Sequence, residues 1–111
     1  MPPGLLRRYD PRVYRSLVMF PKSADALEVD ALIESIASSF KASAGSRLIT
    51  RNEGSLMGPA AKAGEAGWIL EADFATLDDA MTALQAEGFQ DAKARTETLG
   101  SKIFLFEVRE V

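Results

Sequence analysis

The chain has 111 residues, 47% of them hydrophobic and 26% charged, a balance that excludes wholesale disorder and fits one domain with one modest core. Its 13 Lys and Arg stand against 16 Asp and Glu, for a net charge of -3, which speaks against a phosphate backbone as partner. It contains no cysteine and no histidine, and this removes disulfides, thiolate and imidazole metal ligands, histidine-held haem, and every Ser-His or Cys-His catalytic device.

Residues 1–12 hold Pro2, Pro3, Gly4 and Pro11 and read as an extended arm ahead of a domain at 13–111. The basic cluster in this arm, Arg7, Arg8 and Arg12, reads as a solvated tail. Leu5-Leu6 opens no apolar signal region, and no apolar run approaches the roughly 20 residues that cross a bilayer. A cytoplasmic protein with no membrane partner is therefore expected.

Val13 to Phe20 is rich in β-formers and stops at Pro21, which cannot continue a ladder; it reads as the first strand. Its parity stays open, since either Leu17 and Met19 or Val18 and Phe20 can face inward. Ser23 to Lys41 reads as a helix. Asp25 with Glu28 makes a capping-box-like start, and Val29, Leu32, Ile33, Ile36 and Phe40 form one stripe at the 3.6-residue period. Gly45 ends it. Arg47 to Asn52 alternates as a short second strand. Gly54 to Ala66, with three glycines and Pro59, is too long for a tight hairpin and reads as an excursion.

Gly67 to Phe74 is the third strand, with Trp68, Leu70, Ala72 and Phe74 on one face and Ile69, Glu71 and Asp73 on the other. Thr76 to Glu87 reads as the second helix, capped by Thr76 with Asp79, striped by Leu77, Ala80, Met81 and Leu84, and closed by Gly88. Phe89 to Gly100 reads as a polar connection with room for a short helical turn. Ser101 to Val111 is the fourth strand, with Phe104, Phe106 and Val108 opposed to Ile103, Leu105, Glu107 and Arg109.

Two striped helices and four strands in the order β-α-β-β-α-β make an α+β sandwich. Right-handed crossovers give it the ferredoxin-like topology, a four-stranded antiparallel sheet with both helices on one face. The other face is expected to carry Glu71, Asp73, Glu107 and Arg109 among Ile69, Ile103 and Leu105. That mixture calls for partial cover, which a second copy facing the first would supply through this open face.

In this element order and length the chain resembles the dimeric α/β-barrel superfamily. The stretch Gly67-Trp68-Ile69-Leu70-Glu71-Ala72-Asp73-Phe74-Ala75-Thr76-Leu77-Asp78-Asp79-Ala80 is similar to the family's third strand and its capped helix. Ile103-Phe104-Leu105-Phe106-Glu107-Val108 is similar to its closing strand. Gly54-Ser55-Leu56-Met57-Gly58-Pro59 resembles the loop before the third strand in EthD-like and YciI-like members. The resemblance implies a homodimer that binds a small apolar or aromatic metabolite without a cofactor, by cofactor-independent oxygenation or carboxylate-assisted isomerisation if it is catalytic. The alternative is a non-catalytic ligand-binding or accessory dimerisation module. Activities of relatives that rest on a histidine do not carry over.

The candidate proton-transfer groups are Glu71, Asp73 and Glu107, whose pKa burial or crowding would raise. The competing reading pairs them with Arg109, Arg47 or Arg51 across strands. Asn52, Leu56, Met57, Glu71, Glu107 and Arg109 are the expected ligand-binding residues, with Leu56 and Met57 placed by the long loop to cover a pocket mouth. Trp68, Tyr14 and Asn52 resemble the Trp, Tyr and Asn set of cofactor-independent oxygenases, but Trp68 shares its strand face with Leu70 and Phe74, which argues for packing. No metal is expected, since no calcium-type loop is present. Gly54, Gly58 and Gly64 are not a phosphate loop, because no Gly-Lys-Ser/Thr follows.

Overall fold

The computed structural model describes residues 12–53 and 66–111. Their element order is β1 (Val13–Pro21), α1 (Ala26–Lys41), β2 (Ser46–Glu53), β3 (Ala66–Phe74), α2 (Leu77–Gln85), α3 (Glu87–Thr98) and β4 (Lys102–Val108). The strands form one sheet in the order β2-β3-β1-β4, every neighbour antiparallel. This is the expected ferredoxin-like arrangement, with the helices on one face. Among the described residues no helix is long and apolar enough to cross a membrane. The segments 1–11 and 54–65, which hold the basic arm and the candidates Leu56 and Met57, lie outside the described residues.

α1 forms where its stripe predicts. The Asp25 carboxylate accepts the Glu28 backbone N–H at 3.2 Å, and Val29, Leu32, Ile33, Ile36 and Phe40 are all buried. Each such side chain contributes about 1.5–3 kcal/mol before entropy is counted. Phe40 stands at the centre of the core. Its ring meets Phe74 edge-on at 5.5 Å and stacks on Phe89 at 5.3 Å.

The second half of the helical layer departs from expectation. α2 ends at Gln85, two residues early, because Ala86 is extended (φ -63°, ψ 144°). The Gln90 side chain then donates to the Leu84 carbonyl at 2.6 Å, satisfying one of the carbonyls that the break leaves open. The polar connection is in fact a 12-residue helix, α3, which buries Phe89, Ala92 and Thr96. Gly88 belongs to the first turn of α3 rather than to a cap. A Cβ there would lie 3.2 Å from Ser39 Oγ, so glycine allows α3 to close on α1. Of the predicted α2 stripe, Ala80 is buried while Leu77 and Met81 are 48% and 40% exposed. Ala80 and Ala83 make the contact; their small size draws the helix close, and the larger neighbours flank the seam.

Between α1 and β2 the chain turns at Gly45, whose φ of 78° lies in the left-handed region. Any Cβ there would fall 2.0 Å from Asp79 Oδ2.

Pairing settles the parity of β1. Ser16, Val18 and Phe20 face the helices, opposite Ala72, Leu70 and Trp68 of β3. The same pairing reverses the expected parity of β4. Leu105 sits beside Ser16 and Ile103 beside Val18, so both face the helices, while Phe104 and Phe106 lie beside Leu17 and Arg15 on the open face. Glu107 accordingly pairs with Tyr14 on the helix side. Alternation distinguishes two faces, and only the partner strand decides which of them is inside.

Ser16 is fully buried, and its hydroxyl has no hydrogen-bond partner. An unpartnered buried hydroxyl is destabilising. Ser16→Ala is therefore expected to raise stability by about 1 kcal/mol in denaturant titration; a loss of similar size would show that the hydroxyl is satisfied after all.

Candidate functional site

The open face divides into two unlike halves. Its β1–β4 half carries Val13, Leu17, Met19, Phe104, Phe106 and Val108. Phe104 and Phe106 are 40% and 47% exposed, with their rings stacked at 5.9 Å. The β3–β2 half carries Ile69, Glu71 and Asp73, with Asn52 beside Ile69 and Thr50 beside Glu71.

Arg15 marks the seam. It lies directly between Asp73 and Phe106 in the pairing register. Its Nε and Nη2 donate to the two oxygens of Asp73 at 2.7 and 3.1 Å, a bidentate geometry that fixes orientation as well as charge. Nε also lies 2.9 Å from Glu71 Oε1. The hydrogen bond to Asp73, with the nearby charges of Asp73 and Glu71, raises the Arg15 pKa above the usual arginine value although burial works the other way. A raised cationic pKa stabilises the fold at every pH below the unfolded value and is lost only as pH climbs through the folded one. Arg15 thus holds its charge throughout the physiological range.

The predicted site residues are only partly brought together. Glu71 and Asp73 share the open face as expected. The cation they share is Arg15, rather than Arg109, Arg47 or Arg51. Arg51 instead bonds Asp30 on α1, which raises its own pKa, and it also pairs with Glu53. Glu107, placed on the helix side by the reversed parity, is bound by Arg12 at 2.7 Å. Arg109 lies beyond the end of β4 and is exposed. Asn52 is on the open face and donates to the Ile69 carbonyl at 3.4 Å. The Trp68, Tyr14 and Asn52 set is split. Trp68 and Tyr14 face the helices from opposite ends of the β1–β3 ladder, beside Phe20 and Phe74, while Asn52 lies on the other side of the sheet.

Arg15, Lys102, Phe104 and Phe106, all on this face, are not among the site residues expected from the sequence. Arg15 left a signal, being the one charged residue in Val13–Pro21. An ion on a strand bounded by two apolar faces calls for a counter-ion on the next strand.

A shallow hollow of about 60 Å³ opens at the sheet end between Met19, Phe20, Pro21, Ala66, Gly100 and Lys102. Among the described residues no group of three or more acidic side chains is placed to hold a metal ion.

By sequence, no family profile and no curated protein matches the chain. Solved structures do share its fold. SnoaB, a cofactor-independent oxygenase from Streptomyces nogalater, is 18% identical and aligns with a TM-score of 0.68 over 91% of this chain and 96% of its own. A dimeric ferredoxin-like protein of unknown function from Thermobifida fusca YX is 12% identical, with a TM-score of 0.67 over 93% and 96%. The hydroxynitrile lyase of Passiflora edulis is 13% identical, with a TM-score of 0.68 over 91% and 97%. At these identities the likeness is one of fold. An oxygenase and a lyase at equal structural distance mean that it selects no reaction.

Proposed function

We propose that the chain is a homodimeric small-molecule-binding protein of the EthD-like type. Two copies close their open sheet faces over one another, and an apolar or aromatic compound is held between the sheet and its neighbouring loops. The observation that carries this reading is the apolar half of the open face, where Phe104 and Phe106 stand 40% and 47% exposed on the same face as Leu17 and Met19. An apolar surface of this kind on one side of a sheet calls for cover. The dimeric protein from Thermobifida fusca YX, of the same fold, supports the arrangement.

Binding is favoured over carboxylate-assisted isomerisation. A general base needs a carboxylate free to take a proton, and Arg15 and Arg12 engage Glu71, Asp73 and Glu107. The non-catalytic ligand-binding module is therefore the better reading of these acids. A second reading, cofactor-independent oxygenation, is favoured by the fold shared with SnoaB and suits a chain without histidine or cysteine.

Sedimentation velocity is expected to show a dimer, and thermal melts against hydrophobic acids and phenols are expected to find a compound that raises Tm. A monomeric species, or a panel with no stabilising compound, would overturn the proposal. Oxygen uptake on the stabilising compounds separates the oxygenase from the binder.

A further inference from the structure

The open face is self-complementary in charge. Arg15 is shared by Glu71 and Asp73, which leaves that cluster one negative charge in excess. On the same face, beside Met19 on β4, Lys102 is exposed and makes no ion pair among the described residues. Lys102 lies two strands across and two residues along from Glu71 in the register, a Cα separation of about 12 Å, and the two side chains do not pair within the chain. These groups thus place a surplus anion at one point of the face and a spare cation at another.

A two-fold axis resolves this without any other partner. In a symmetric interface, if residue i of one copy meets residue j of the other, then j also meets i. An axis lying in the plane of contact, passing over β1 between Leu17 and Met19, exchanges the Lys102 and Glu71 positions. Both surplus charges are then matched twice, around an apolar centre. A partner of different sequence would need to reproduce both signs at that spacing, whereas a second copy does so by construction.

Resting on the homodimer reading above, we propose that Lys102 of each subunit pairs with Glu71 of the partner subunit. The pair completes the Arg15–Glu71–Asp73 cluster and sets the orientation in which the two sheets close. Its role is selectivity of docking: a rotated arrangement would set acid against acid or leave Lys102 covered and unmatched, and like-charge contacts across an interface are strongly unfavourable.

The test is a charge exchange followed by sedimentation velocity over a concentration series, with far-UV circular dichroism and melting curves to establish folding. Lys102→Glu and Glu71→Lys are each expected to weaken the dimer by about tenfold or more, and the double exchange to recover most of that loss. The wild-type dimer is also expected to weaken more steeply with salt than Lys102→Gln, a readout that does not depend on the Glu71 variant folding. A dimeric wild type whose affinity is unchanged by Lys102→Glu, or a double exchange no tighter than its weaker parent, would overturn the pairing while leaving the homodimer intact. A wild-type protein that sediments as a monomer would overturn the homodimer itself, and the pairing with it.

Discussion

Replacing Phe40 with alanine is expected to cost about 4 kcal/mol of folding stability, the largest loss of any single truncation in the helical layer. Phe40 is fully buried, and its ring meets Phe74 of β3 and Phe89 of α3. It therefore joins sheet, first helix and third helix at one point. Removing it leaves a void lined by two aromatic rings that are held by separate elements and cannot both move in. With total stabilities of about 5–15 kcal/mol for proteins of this class, the variant would be marginal. Denaturant titration at fixed protein concentration measures the effect as a fall in midpoint with little change in slope. A loss below about 2 kcal/mol would show that α3 packs less firmly than the Phe40–Phe89 stacking indicates.

The second large effect is expected at Arg15. Arg15→Met keeps the length of the apolar stem but leaves Glu71 and Asp73 adjacent on one strand face with no counter-charge. The Asp73 side chain is only 11% exposed, and that of Arg15 is 31% exposed. Breaking a buried pair costs about 3–5 kcal/mol, and partial exposure here scales this to about 2–3 kcal/mol, or about 10 °C in Tm. The response to salt distinguishes this cause from lost packing. Added salt screens the repulsion between the two carboxylates, so the variant should regain part of its deficit relative to wild type as ionic strength rises. Melting curves of both proteins at several salt concentrations check this. A deficit that stays constant along the series would assign the effect to the stem.

The first half of the fold was legible because its signals are local. The α1 stripe from Val29 to Phe40 is dense and large, and the caps at Asp25 and Thr76 are single side-chain bonds read directly from spacing. The division of β3, with Trp68 on the helix side, followed from alternation within one strand. α3 escaped because its buried positions are one phenylalanine followed by an alanine and a threonine, in a segment otherwise polar. So thin a stripe is stable only against a partner such as α1, and a tertiary contact of this kind leaves little trace in local pattern. The parity of β4 escaped for a related reason. Phe104 and Phe106 look like core residues in isolation, yet their side is dictated by register against Leu17 and Arg15, more than eighty residues away in the chain. The acids of the site were legible as a pair on one face; the arginine between them was not, because its role exists only once β1 and β3 are laid together.

The central position of β1 also bears on how the nascent chain is made. Arg15 waits 58 residues for Asp73, and Arg12 waits 95 for Glu107. At typical synthesis rates the first of these intervals lasts about 3–12 s. Throughout it Leu17-Val18-Met19-Phe20 leaves the ribosome with both hydrogen-bonding edges unclaimed. Until its two neighbours are made this tetrapeptide is an exposed apolar edge, and Arg15, two residues before it, is a charge that discourages premature aggregation until the sheet can close around it.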